Sequence, residues 1–583
     1  MGTVHYLGFL FLDHPPVIIK SWEREACSIS DKMIPFLSIL SGLLAAVAFS
    51  WHCPSTAAYT NGAAVPKVIQ GGMGVRISKW ELAREVAREG QLGVVSGTVM
   101  DIVLVRELQN GDPEGSMRRA LASFPDQGMA NRILDKYFIE GGKDSHKPYK
   151  TLPMWSVTPS QHLLEVCVLA NYCEVWLAKH NDDGSPIANG WVGLNLLTKV
   201  QLPTIPSLYG AMIAEVDYVL MGAGIPMKIP GILDNLADCK DCVQQLDLAD
   251  RSEDVSLTFS PTDFWKAAGR PDLAVAYKRP KFLPIVSSVV LAQSMLKRAS
   301  GSGPTKGIDG FVVELNTAGG HNAPPRGFKY DALTKTHAAD LNERGEPVYG
   351  EKDDVDLEKF AKATNGLPFW LAGSFCDPEK LKHVVDIGGA GVQVGTAFAF
   401  SKESGMKADV KHAVLNELAH KDWGVFTDPQ ASPTGFPFKV LELEGTLSDS
   451  EVYEHRPRAC SLGYLRDMYK KPDGSIGYRC AAEPVNDYVK KGGDIEATQG
   501  RKCLCNALCA NVGFPQVQPK YDYEEEMLIT VGDDVNNCKR YMRKNENGDF
   551  EYSARDVVSF LLSGLEDPTV EETKEHKLTS LTP

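Results

Sequence analysis

Gly310-Phe311-Val312-Val313-Glu314-Leu315-Asn316-Thr317-Ala318-Gly319-Gly320-His321 is the stretch that decides the fold. A short apolar run, the length of a buried strand, passes into a polar turn carrying two glycines, and a single histidine stands behind the turn. Working outward, runs of the same kind occupy 66–71, 92–97, 191–197, 218–224, 282–288, 368–374 and 391–398. With 310–316 they make eight, separated by longer amphipathic stretches, which is the pattern of repeated βα units closing into a (β/α)8, or TIM, barrel of the α/β class. Helix starts fall where this reading needs them. Ser78-Lys79-Trp80-Glu81 has the form of a capping box after the first run, and Asp377-Pro378-Glu379 opens a helix after the seventh.

Three connections are long, 101–189, 226–281 and 316–356, and their polar, Pro/Gly-bearing composition reads as insertions over the barrel rim. The expected organisation is a leader over 1–64, a barrel over 65–439, a cysteine-containing C-terminal extension over 440–565 and a disordered polar tail over 566–583.

Composition narrows the function classes. The 583 residues are 43% hydrophobic and 23% charged, with 52 Gly and 35 Pro, which excludes collagen-like, coiled-coil and largely disordered chains. Lys and Arg number 61 against 75 Asp and Glu, a net charge of -14, which argues against a nucleic-acid partner. Any anionic ligand must therefore be gripped locally.

The leader holds an apolar segment, 34–49, with Lys20, Arg24 and Lys32 upstream and Ser55-Thr56-Ala57-Ala58 downstream. It is short for a spanning helix and has the shape of a cleaved signal peptide. The expected route is secretory, or to a plastid reached through it; a cytoplasmic protein is the alternative, and membrane attachment is expected only if the leader is retained.

In a barrel of this kind chemistry sits at the C-terminal strand ends. The first run ends in Gln70-Gly71-Gly72-Met73-Gly74, where missing side chains let backbone approach a flat ligand. The third carries the amide of Asn195, and the sixth brings Glu314, Gly319 and then His321, a base in the right place. The seventh ends in Gly373-Ser374 and the eighth in Gln393-Val394-Gly395-Thr396, which together offer backbone N–H groups and a hydroxyl to a phosphate. Met73 and Met221 read either as pocket lining or as ordinary core, the commoner place for methionine.

Taken in order, Ile69-Gln70-Gly71-Gly72-Met73, Ala318-Gly319-Gly320-His321 and Gln393-Val394-Gly395-Thr396 with Glu403-Ser404-Gly405 make the chain resemble the nitronate monooxygenases. The resemblance runs from about Val65 to Met406. It implies an FMN site built from Gly72, Met73, Asn195, Glu314, Gly319, Gly373, Ser374 and Gln393, Val394, Gly395 and Thr396, the last group around the phosphate, with His321 as catalytic base. It further implies a small nitronate or nitroalkane and O2 as substrates, giving a carbonyl compound and nitrite. Ser374 stands where the family usually has a second glycine, and Glu314 where it often has glutamine. FMN-dependent enoyl-acyl-carrier-protein reductases share the barrel, the glycine turn and the histidine, so reduction by a nicotinamide is the first alternative. A flavin-binding scaffold with little turnover is the second.

Of thirteen cysteines, Cys460, Cys480, Cys503, Cys505 and Cys509 crowd the extension, but their spacing lacks paired Cys-x-x-Cys knuckles, and the apolar residues around them read as a helix with buried thiols. No metal is expected there. Cys239-Lys240-Asp241-Cys242 is a Cys-x-x-Cys without a thioredoxin-like context, and Cys376 follows the seventh run.

Overall fold

The eight runs form one closed parallel barrel, each strand hydrogen-bonded to its neighbours in chain order and the last to the first. The strands are β1 (Val68–Gln70), β2 (Leu92–Ser96), β3 (Trp191–Leu197), β4 (Tyr218–Gly222), β5 (Lys281–Val286), β6 (Phe311–Glu314), β7 (Phe369–Ala372) and β8 (Gly391–Val394). Closure is made by Val68 opposite Val392 and Ile69 opposite Gln393. The computed structural model describes residues 65–249, 255–327, 329–331, 336–338 and 340–565. The expected leader and the expected tail lie outside the described residues. Among the described residues no helix is long and apolar enough to cross a membrane.

Strand alternation sorts the core into two layers. Val94, Leu220, Leu283, Val312 and Trp370 fill the barrel interior, whereas Val95, Val219, Met221 and Val313 point outward under the helices. Of the two readings of Met221, core holds: it faces the helix layer, because its neighbours Leu220 and Gly222 take the inward positions.

The connection 101–189 is largely helical. Its last helix, Gln161–Lys179, is buried along most of its length and packs between the helices Trp80–Arg88 and Thr204–Ile213. The run Leu163 to Ala170 is apolar nearly all round, which is the mark of a helix enclosed on every side. The connection 226–281 carries a hairpin of Cys242–Gln245 with Ser256–Phe259. In the connection 316–356 the short strand Gly320–His321 pairs with Phe438–Leu441, which pairs in turn with Val425–Asp428.

The helix after β7, Pro378–Asp386, is capped as expected, Asp377 accepting from the backbone N–H groups of Glu379 and Lys380. The helix after β1 is not. Trp80–Arg88 has no side-chain cap from Ser78; the Trp80 N–H donates to Glu174 of the buried helix at 3.0 Å. Ser78 is occupied elsewhere, at the turn that follows β1.

Candidate active site

That turn is the floor of the site. Ser78 Oγ accepts from Gln70 Nε2 at 2.7 Å and from the Met73 N–H at 2.8 Å, and donates to the Gly71 carbonyl at 2.8 Å. The loop Gly71–Met73 is thus held rigidly over the end of β1. Asn195, on β3, donates its amide to the Gly72 carbonyl at 2.8 Å. A Cβ on Gly72 would fall 2.2 Å from Asn195 Cβ and 2.9 Å from Val94 Cγ1, so only glycine fits.

β6 delivers the acid and the histidine. Leu315 N–H donates to the Ala372 carbonyl at 2.9 Å, fixing the end of the strand against β7, and the chain then turns back toward Gly320–His321. His321 Nε2 lies 2.7 Å from Ser432 Oγ, and its ring meets Phe438 edge-on at 4.9 Å. Burial, helped by the Lys199 ammonium, lowers the imidazole pKa to about 4, so His321 is neutral at pH 7. Glu314 opens on the same cavity, and burial alone pushes its carboxyl up to about 7. A Cβ on Gly319 would lie 2.7 Å from the Val531 carbonyl carbon, because the C-terminal extension crosses directly over this turn.

β7 and β8 form the opposite rim. Gly373 and Ser374 both have left-handed backbone, φ 102° and 57°, a region that glycine enters freely and serine reluctantly. Lys380 Nζ donates to the Ser374 carbonyl at 2.6 Å. Gly71 N–H donates to the Val394 carbonyl at 2.8 Å, so Gln393, Val394, Gly395 and Thr396 continue the rim from the β1 loop. The Thr396 hydroxyl, expected to meet a phosphate, accepts from the Gly532 N–H at 2.9 Å and is bonded to the Asp534 carboxyl.

All twelve residues singled out from the sequence, His321 and the eleven cofactor candidates, line one cavity of about 230 Å³ at the C-terminal end of the barrel. Part of its wall comes from beyond residue 440, from Tyr464, Leu465, Cys505, Leu508, Val531 and Asp534. Nothing in their local pattern marks them except the apolar helix Leu504–Ala510, which presents Leu504, Cys505 and Leu508 to the cavity. Cys480 and Cys503 pack together with Ala482, and Cys509 is buried in the main core. Among the described residues no group of three or more His, Cys, Asp or Glu side chains is arranged to hold a metal ion. Cys376 lies 2.7 Å from the Tyr541 hydroxyl, outside the cavity, and Cys242 is buried at the start of the hairpin, also outside it.

The lining can be tested against FMN. Asn195 Oδ1 and Gln393 Oε1 are buried acceptors without a hydrogen-bond partner, and both belong to the cavity wall. Leaving such atoms unmatched costs about 1–3 kcal/mol each, so the wall calls for a ligand with N–H or O–H donors at its edge. A flat heterocycle over the bare Gly71-Gly72 backbone meets both demands. At the phosphate end Gly395 has room, its nearest neighbour being Met73 Sδ at 3.6 Å from a built Cβ. Asp534 is a carboxyl at that end whose pKa burial raises, and it is bonded to the Thr396 hydroxyl. The residues present fit the cofactor.

Residues 279–427 match the family model described as nitronate monooxygenase. No curated protein sequence matches the chain. Similar solved structures include FabK from Thermotoga maritima (14% identity, 88% of this chain and 96% of that one, TM-score 0.37). A nitroalkane oxidase from Streptomyces ansochromogenes (13%, 86% and 95%, 0.34) and the enoyl reductase domain of MlnA from Bacillus amyloliquefaciens (12%, 89% and 97%, 0.41) are others. At scores this low they add nothing to what the closed barrel already shows.

Proposed function

We propose that this chain, whose residues 279–427 match the nitronate monooxygenase family model, binds FMN and oxidises alkyl nitronates with O2 to a carbonyl compound and nitrite. The observation that carries this reading is the pair of unpartnered amide oxygens, Asn195 Oδ1 and Gln393 Oε1, on a cavity that also holds a neutral histidine. When bound, FMN supplies the redox chemistry, accepting electrons from the nitronate and passing them to O2.

The chain's own residues bind, orient and exclude water. Asn195 and Gln393 would meet the polar edge of the heterocycle, the bare backbone of Gly71 and Gly72 would lie under it, and Gly373, Ser374, Gly395 and Thr396 would hold the phosphate. His321 stays neutral near pH 7 and is held through Nε2 by Ser432, so it orients a nitro group by hydrogen bonding without adding charge. The extension closes the mouth with Tyr464, Leu465 and Leu508, which keeps bulk water from the reacting carbon.

Air-free mixing of the purified protein with an alkyl nitronate, NADH or NADPH, followed by flavin absorbance, tests the proposal. Loss of absorbance on mixing with the nitronate alone is expected. Reduction only by a nicotinamide would transfer the site to the enoyl-reductase class, and a protein that takes up no flavin would refute the cofactor assignment.

A further inference from the structure

Glu314 and His321 face one cavity from either end of the same turn; His321 is held at Nε2, whereas neither carboxyl oxygen of Glu314 is held by a hydrogen bond among the described residues. His321 Nε2 is held by Ser432 Oγ, which lies 2.8 Å from Thr434 Oγ1 and accepts from the Thr434 N–H at 3.2 Å. Glu314 closes β6 opposite Ala372 of β7, and among the described residues no charge and no hydrogen bond acts on its carboxyl. Ile285, Ala372 and Gly373 are apolar neighbours on the same wall. A carboxyl left in such surroundings costs stability, and a strand end facing a ligand cavity is where that cost serves chemistry.

The other titratable groups of the wall are committed. The Tyr464 hydroxyl is bonded to Asp101, and burial holds the Cys505 thiol protonated. Asp534 is tied to Thr396, and Lys199 acts on His321 alone among these groups. None of them offers a free carboxylate to a substrate carbon.

Resting on the function given above, we propose that Glu314 is the proton acceptor of the site, taking the α-proton of a neutral nitroalkane before its oxidation as the nitronate. The Cα–H bond breaks, its electron pair forms a carbon–nitrogen double bond and leaves negative charge on the nitro oxygens, and the proton passes to a Glu314 carboxylate oxygen. No electron leaves the substrate in this step. His321 orients the nitro group, and the two residues divide between them the roles that a single histidine would otherwise fill. A carboxyl that titrates near neutrality is matched to the task, because it is ionised in part at working pH yet basic enough to accept the proton.

The test is hydrogen exchange, which needs no turnover. The full-length protein with its flavin is mixed air-free with nitroethane in D2O from about pH 5 to about pH 9, and loss of the α-proton signal is followed by NMR above the uncatalysed rate. Exchange should rise with pH to a plateau with a midpoint near 7. Glu314→Gln should slow it by about 10²-fold or more, and should slow reaction with the neutral nitroalkane much more than with the preformed nitronate. His321→Asn should leave the midpoint in place. Exchange as fast in Glu314→Gln as in the parent, or a midpoint that moves with His321→Asn, overturns the proposal. Infrared titration of the unmodified protein guards against a variant that does not fold: a protonated-carboxyl band should disappear with a midpoint near 7, and its absence overturns the assignment. Glu314-dependent exchange in a protein that never oxidises nitronates would uphold the proton acceptor and sink the oxidation reading.

Discussion

Asn195 donates to the carbonyl of Gly72 at 2.8 Å, while a Cβ on that same glycine would fall 2.2 Å from Asn195 Cβ. The hydrogen bond and the missing side chain are one device, holding the loop after β1 against β3 with the remaining amide oxygen of Asn195 turned to the cavity. Gly72→Ala should therefore push Asn195 aside, cost about 1–3 kcal/mol, and lower the flavin that co-purifies. Thermal melting and flavin absorbance measure the two effects; full flavin content in the variant would separate the loop from the cofactor site.

Glu314 also predicts how stability varies with pH. Its carboxyl keeps a proton up to about 7 in the folded protein, against 4.5 for an exposed glutamate, so the folded state binds the extra proton between those values. The contribution is full below about 4.5 and is lost as pH rises through about 7. Glu314→Gln cannot ionise and should raise the melting temperature at about pH 8 more than at about pH 4. An equal change at both would mean that the parent carboxyl is not held protonated by burial.

Asp534 sets the expected pH dependence of cofactor binding. Burial raises its pKa, so its proton is retained at low pH and given up as pH rises, after which two anions share the rim at Thr396. FMN affinity, read by quenching of its fluorescence, should weaken with rising pH in the parent, and Asp534→Asn should flatten that dependence. Parallel curves would place the phosphate away from this carboxyl.

Arg456 and Glu525 anchor the extension, Nε to Oε1 at 2.8 Å, with side chains 1% and 0% exposed. Glu525→Ala leaves a buried guanidinium without its partner and should cost about 3–5 kcal/mol in urea unfolding. A loss below about 1 kcal/mol would mean that water or a neighbouring acceptor replaces the carboxylate.

His321→Asn removes a neutral hydrogen-bonding group. It should cost about 1–2 kcal/mol in kcat/KM toward a nitronate without shifting any pH limb near neutrality, since the imidazole titrates at about 4. A limb near 7 that vanishes in this variant would return the proton to His321.

The barrel was legible because its signal is local. A strand covered on both faces reads as a continuous apolar run, so 191–197 in the sequence is Trp191–Leu197 in the fold, and Asp377-Pro378 announces its helix through a cap only two or three residues long. For the same reason the glycines, amides and histidine at the strand ends stand out in the sequence itself. Ser78 misled because its hydroxyl had two uses, and the turn that claims it over the helix is made by Gly71 and Met73 folding back on it.

Strand order, barrel closure and the meeting of His321, Glu314, Asn195 and Gln393 at one rim are thus written in the order of residues. The ceiling of that site is not: Gly532 reaches Thr396 across 136 positions, and Thr530 reaches Gly320 across 210. Nor are the protonation states. A neutral His321 and a proton-holding Glu314 arise from desolvation, which acts on a side chain only after the whole chain has closed around it.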